Sequence, residues 1–385
     1  MEKREVYLDN ATTTWPKPPS MIQAMIDFNE SVGANPGRGA YKRAIRSSEI
    51  VFNAREELAR MFNIDDSTRI MFCINCTAGT NSILWSMLKE GDHVVFSSME
   101  HNAVLRPIYE LKRRIGIDSS MTQASGEGIV SPEEVRKQIK KNTKIIAVLH
   151  ASNICGAINP ITEIGKIAKE NNILFMVDSA QTAGSFSIDV KRDNIDLMAF
   201  SGHKGLMGPF GTGAFYISPE LDPPPFICGG TGILSHLETM PDCYPERFEP
   251  GTQNIIGISG LLASIRFIND YGMDRYAKHK QNLAKRMIDG LSQIKKVQYF
   301  GPKNIEDNCG VISVQIDGVP TDETGARLYS DFGIMTRAGL HCAPHAHRTL
   351  GTFEKGTVRF SFGLFNTEDD VDLVLTALSK ISSNK

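Results

Sequence analysis

Strand-like apolar runs that alternate with amphipathic, helix-like segments constrain this chain more than any other feature. The runs lie at 69–74, 93–97, 145–150, 173–178, 197–200 and 213–217, and helical patterns occupy 79–88, 103–114 and 161–170. Such alternation predicts an α/β fold, a mostly parallel sheet covered by helices, with functional side chains gathered at the carboxyl ends of the strands. Beyond Pro250-Gly251-Thr252 the texture changes to one long helical pattern over 258–294, a strand at 311–316, a helix at 322–332 and a last strand and helix. This predicts a smaller C-terminal α+β domain. The expected division is a large domain over 16–255 and a small one over 256–385 that also takes the N-terminal segment 1–15. No repeat, low-complexity tract or long linker separates them, so close packing is expected.

Composition narrows the function classes. With 385 residues, 41% hydrophobic and 22% charged, the chain has material for a large core and a second domain. A formal net charge of −2, without a basic run interleaved with aromatics, argues against nucleic acid as a partner. The N-terminus lacks the apolar stretch of a signal peptide and no apolar run reaches membrane-spanning length, so a cytoplasmic location without membrane contact is expected. Seven cysteines, an odd number at scattered positions, suit reduced thiols better than disulfides.

The chemistry centres on Ser201-Gly202-His203-Lys204-Gly205, which follows the run at 197–200. A lysine amine held on a stiff element becomes a nucleophile when desolvation or charge lowers its pKa, and pyridoxal phosphate is the common aldehyde cofactor anchored as a Schiff base in this way. Asp178 ends the run at 173–178, where a carboxylate can hold a pyridine nitrogen protonated. Gln181 is placed to donate to a phenolic oxygen. His101 follows one strand and could stack on a planar ring, and Asn153 follows another and could meet the ring or a substrate carboxylate. Asn75-Cys76-Thr77-Ala78-Gly79-Thr80 forms a strand-to-helix corner able to bind phosphate, with Thr77 and Ala78 in it and Ser201 and His203 as further donors.

Near the other end, Arg337-Ala338-Gly339-Leu340-His341-Cys342-Ala343-Pro344 sets a cysteine in a glycine- and proline-bounded loop beside positive charge, which favours the thiolate. Arg359 interrupts an apolar strand and needs a carboxylate, either from an internal salt bridge or from an amino-acid substrate. A metal-binding or sulfur-carrier reading would use His341, Cys342, His345 and His347, together with Cys73 and Cys76.

Taken with Tyr7-Leu8-Asp9-Asn10-Ala11-Thr12, Glu100-His101, Ser152-Asn153 and Arg247 to Thr252, these motifs run in order from residue 7 to residue 367. The chain resembles the class V aminotransferase family of pyridoxal-phosphate fold type I, and more closely its cysteine desulfurases and selenocysteine lyases of the group II kind. The resemblance implies a seven-stranded sheet, Lys204 as the cofactor lysine, Asp178 on the ring nitrogen, His101 stacked on the ring and Gln181 on the phenolic oxygen. It implies phosphate contacts from Thr77, Ala78, Ser201 and His203, with Thr252 reaching across from the second subunit of a homodimer. Arg359, Asn153 and Ala11 would receive the substrate, and Cys342 would accept sulfur. The implied reaction converts L-cysteine to L-alanine, leaving a persulfide on Cys342 that passes to a thiol or protein acceptor. L-selenocysteine is an alternative substrate on the same scaffold, and transamination or another C–S cleavage an alternative reaction. Two departures from the family pattern are Ala11-Thr12-Thr13-Thr14, where Ala-Ala-Thr-Thr is usual, and a phosphate corner without an acidic residue after its threonine.

Overall fold

Each central strand sends alternate side chains into two separate cores, which is why its sequence runs apolar without interruption. In the computed structural model, which describes residues 4–37 and 39–383, Ile146 and Val148 enter one core while Ile145 and Ala147 enter the other. Phe175 and Val177 part from Met176 in the same way. Each fully buried Phe, Ile or Val contributes about 1.5–3 kcal/mol.

Seven strands form the main sheet in the order Ile70–Cys73, Gly213–Ile217, Leu197–Ser201, Leu174–Asp178, Thr143–Leu149, His93–Ser97, Asp118–Thr122. All run the same way except Gly213–Ile217, which is antiparallel to both its neighbours. Helices Lys42–Phe62, Ile161–Glu170 and Ile255–Tyr271 cover one face. Helices Cys76–Met87 and Asn102–Ile115 cover the other. The strand at Asp118–Thr122 escapes the sequence reading because Asp-Ser-Ser-Met-Thr carries no apolar run; it is an edge strand paired only with His93–Ser97.

A second, four-stranded antiparallel sheet has the order Arg337–Gly339, Thr357–Ser361, Val311–Ile316, Val297–Phe300. Helices Met273–Leu291 and Glu368–Ser383 pack on it. Val6 and Leu8 join this core, and Val6–Tyr7 pairs in parallel with Ile334–Met335. The single helix expected over 258–294 is two helices, Ile255–Tyr271 and Met273–Leu291, broken at Gly272, whose φ of 95° lies outside helical space. The chain passes from the first core to the second at this break, because Ile265 belongs to the large core and Leu283 to the small one. The sequence pattern of residues 379–385 is that of an ordinary frayed helix end; of these, Asn384 and Lys385 lie outside the described residues.

Candidate active site

Five same-direction strands, ending at Cys73, Ser97, Leu149, Asp178 and Ser201, deliver their following residues to one edge of the sheet. A cavity of about 210 Å³ lies there. Lys204, Asp178, Gln181, His101 and Asn153 line it, as do Thr77, Ser201 and His203. Eight residues singled out in the sequence therefore meet in one place.

Burial lowers the Lys204 amine pKa, and the neighbouring Arg359 and Arg337 charges act in the same direction against Asp178 and Cys76. A less basic amine is more often neutral and therefore nucleophilic. Asp178 is almost fully buried; its Oδ1 accepts the Ala180 N–H at 2.9 Å and the Cys76 thiol at 3.4 Å. Gln181 Nε2 donates to the Ala11 carbonyl at 3.0 Å, which ties the N-terminal motif to the cavity. His101 caps helix Asn102–Ile115, its Nδ1 accepting the Ala103 N–H at 3.0 Å. That bond leaves the ring proton on Nε2. Burial, followed by the Lys204 charge, pushes His101 down to about 4, so the ring is neutral near pH 7.

The corner at 75–80 is more fully organised than its sequence suggests. Its helix starts at Cys76 rather than at 79, because Asn75 is the N-cap and accepts the Ala78 N–H at 2.9 Å. Cys76 N–H donates to Ser201 Oγ at 3.1 Å, so the Ala78 and Cys76 amides are both engaged within the corner. Close approach of Gly213 makes this possible: a Cβ there would lie 2.8 Å from Asn75 Cα. His203 Nδ1 is buried without a hydrogen-bond partner among the described residues, and burial pushes this ring down to about 4.

Arg359, on strand Thr357–Ser361, donates from Nη2 to Asp9 Oδ1 at 2.6 Å and Thr12 Oγ1 at 2.8 Å, and from Nη1 to the Asn153 carbonyl at 3.0 Å. The internal salt bridge thus exists, and Asp9 and Thr12 are functional neighbours the sequence reading assigned no role. Among the described residues neither Nε of Arg359 nor Asn153 Oδ1, both buried, has a hydrogen-bond partner. Arg337 pairs with Arg359 across the two strands and reaches Thr12 Oγ1 at 3.1 Å. Among the described residues Asp9 is the one carboxylate paired with this two-guanidinium cluster, and it pairs with Arg359, leaving positive charge to receive another.

Cys342 is exposed, and both it and His341 adopt left-handed backbone, at φ 61° and 47°. Its carbonyl accepts the Asn102 N–H at 2.8 Å, which tethers the loop beside His101. The residue opens on a cleft of about 410 Å³ that also includes Trp85, Arg106 and Phe226, none of which the sequence reading singled out. Thr77, His101 and Ala103 line both this cleft and the cavity of Lys204, so the two spaces adjoin. Thr252 is exposed and lines neither. Among the described residues no three His, Cys, Asp or Glu side chains converge as metal ligands: His345 turns to Tyr109 at 3.1 Å and Cys76 to Asp178.

Related proteins carry the same architecture. A probable cysteine desulfurase of Methanothermobacter thermautotrophicus is 34% identical over 98% of this chain and 94% of its own length. The apo structure of cysteine desulfurase from Thermococcus onnurineus NA1 superposes with a TM-score of 0.91 at 34% identity, covering 99% of this chain and 95% of that one. The Escherichia coli cysteine desulfurase CsdA, in its S-sulfonic acid form, gives 0.87 at 28% identity, covering 98% and 94%. The model of the aminotransferase class-V family matches residues 6–374, and the chain belongs to that family.

Proposed function

We propose that this chain is a pyridoxal-phosphate-dependent cysteine desulfurase that releases L-alanine from L-cysteine and takes the sulfur onto Cys342. The observation that carries the reading is the junction of two spaces at Thr77 and His101: one holds Lys204 and Asp178, the other Cys342. The cavity suits the cofactor because its groups are complementary in kind. It offers a buried amine, a strand-end carboxylate, a neutral imidazole, hydroxyls of Thr77 and Ser201, and the unpartnered Nδ1 of His203.

Pyridoxal phosphate, when bound, supplies an aldehyde that joins amines and a protonated ring that takes up the electron pair left by a departing Cα proton. Lys204 would hold it and, once freed by the substrate amine, serve as the base at Cα. Asp178 would keep the ring nitrogen protonated. His101, fixed by the Ala103 N–H, would lie on the ring and Gln181 would meet its phenolic oxygen. Thr77, Ser201 and His203 would take the phosphate. The substrate carboxylate would fill the free donor of Arg359, with Asn153 and Ala11 alongside. Cys342, as thiolate, would attack the substrate sulfur: an S–S bond forms, the C–S bond breaks with its electron pair returning to carbon, and a thiol acceptor later removes the sulfur by exchange.

A homodimer belongs to the same reading, with Thr252 serving the neighbouring site; its exposure on a segment away from its own cavity supports this. So does a reducing, cytoplasmic setting, since all seven cysteines are free.

The deciding measurement is alanine released from L-cysteine, with a thiol reductant present, by the wild type and by Cys342→Ala. Release by the wild type alone supports desulfuration through Cys342. Release by both from L-selenocysteine only would replace the reading with a selenocysteine lyase, and a keto-acid product would replace it with a transaminase.

A further inference from the structure

Cys76 is a buried thiol inside the candidate cofactor cavity, 5% exposed, and the reaction proposed above does not use it. Its Sγ lies 3.4 Å from Asp178 Oδ1. Burial, then the Asp178 charge, raises its pKa well above the ordinary thiol value, so it keeps its proton and is the donor in this contact. Oδ1 also accepts the Ala180 N–H at 2.9 Å. Among the described residues Oδ2 has no hydrogen-bond partner, although Asp178 is only 6% exposed and lines the cavity. Two donors on one oxygen fix the rotation of the carboxylate and leave the other oxygen free. Cys76 is itself held, because its N–H donates to Ser201 Oγ at 3.1 Å, three residues before Lys204.

We infer that Cys76 is a positioning residue, whose S–H holds Asp178 so that Oδ2 faces the nitrogen of a pyridine ring bound in the cavity. The inference rests on the pyridoxal-phosphate reading. A thiol is a weak donor, so it orients the carboxylate while withdrawing little of the negative charge that the ring N–H needs. A hydroxyl at this place would orient it as well and withdraw more. Sulfur carriage by Cys76 is disfavoured by the same geometry, since the buried, protonated thiol lacks the thiolate that exchange requires.

The test titrates the apo protein with pyridoxal phosphate and with its 1-deaza analogue, in which carbon replaces the ring nitrogen, and follows binding by intrinsic fluorescence. Cys76→Ala is expected to weaken pyridoxal phosphate about fivefold to tenfold, within the range of an ordinary hydrogen bond because a thiol donates weakly, and to leave the analogue unchanged. Cys76→Ser, which retains a donor, is expected to stay within about twofold of the wild type for both. Equal weakening of both compounds by Cys76→Ala, or none, would overturn the inference in favour of a packing role or no role. Thermal unfolding of the apo variants separates loss of fold from loss of binding, and Cys76→Val, which fills the site without a donor and is expected to weaken pyridoxal phosphate selectively as the alanine variant does, carries the test if the alanine variant does not fold. Wild-type protein that binds neither compound removes the cofactor reading itself, and the inference with it.

Discussion

The guanidinium of Arg359 lies 2.6 Å from Asp9 Oδ1 yet keeps Nε buried and, among the described residues, without a partner. One internal carboxylate holds the arginine in place, while a second anion is needed to complete its donor set. An α-amino acid carries such an anion.

Arg359→Lys is therefore expected to raise KM for L-cysteine roughly 10- to 100-fold, because lysine cannot reproduce the planar fork. Visible absorbance of the bound cofactor should persist. Steady-state alanine formation checks this, and an unchanged KM would remove Arg359 from substrate binding.

Lys204→Ala should abolish alanine formation and leave protein that shows no visible absorbance after incubation with pyridoxal phosphate and gel filtration. Its apo melting temperature should change by only a few degrees, about 1 kcal/mol or less, since the lysine faces a cavity and not a core. A yellow, active variant would contradict the assignment.

Thiol accessibility differs sharply along the chain. Cys228, Cys243 and Cys342 are exposed, whereas Cys76, Cys155 and Cys309 are buried. Brief alkylation of the native protein, read by peptide mass spectrometry, should label the first three and spare the last three. Rapid labelling of Cys76 would contradict the cavity geometry.

Acid should destabilise the apo protein over a definite window. Burial pushes His101, His150, His203 and His347 each down to about 4. Unfolded histidine titrates near 6.5, so between about 6.5 and 4 the unfolded chain binds more protons. Their stabilising contribution is complete above about 6.5 and lost as pH falls toward about 4. Glu100, which burial pushes up to about 8, works in the opposite sense: its contribution falls as pH rises from its unfolded value toward 8. His341, which burial pushes down to about 2, acts with these four, and together the histidines outweigh Glu100 and Asp196, whose carboxyl pKa values burial raises, so stability rises with pH between about 5 and 6.5. Urea unfolding at successive pH values checks the slope. His150→Gln, at a ring that lines neither cavity, should reduce it by up to about 1.4 kcal/mol per pH unit. An unchanged slope would show that His150 titrates normally.

Gly213→Ala should destabilise the corner that carries Thr77, because the added Cβ would meet Asn75 Cα and the Phe200 carbonyl, each at 2.8 Å. A loss of about 1–3 kcal/mol on unfolding is expected, with weaker cofactor binding.

The sequence by itself determined the layered α/β plan and most of the cavity. Runs such as 145–150 and 173–178 are apolar on both faces, which only a sheet covered on both sides can accommodate. Same-direction strands bring their carboxyl ends to one edge, so Asp178 at the end of its strand and His101, Asn153 and Lys204 just beyond theirs had to meet there. Even the early start of helix Cys76–Met87 was readable from Asn75, a favoured N-cap. Other features were decided only by tertiary packing. Asp118–Thr122 becomes a strand because His93–Ser97 offers it an edge, not through its own pattern. The apolar period of 258–294 continues through Gly272 although the chain there leaves one core for another. Asp9 meets Arg359 across 350 residues, and Cys76 meets Asp178 across 102. Periodicity reports which face of an element is buried; it carries no information on which distant polar group will stand opposite, because that contact is set by how the two cores and their strands come together.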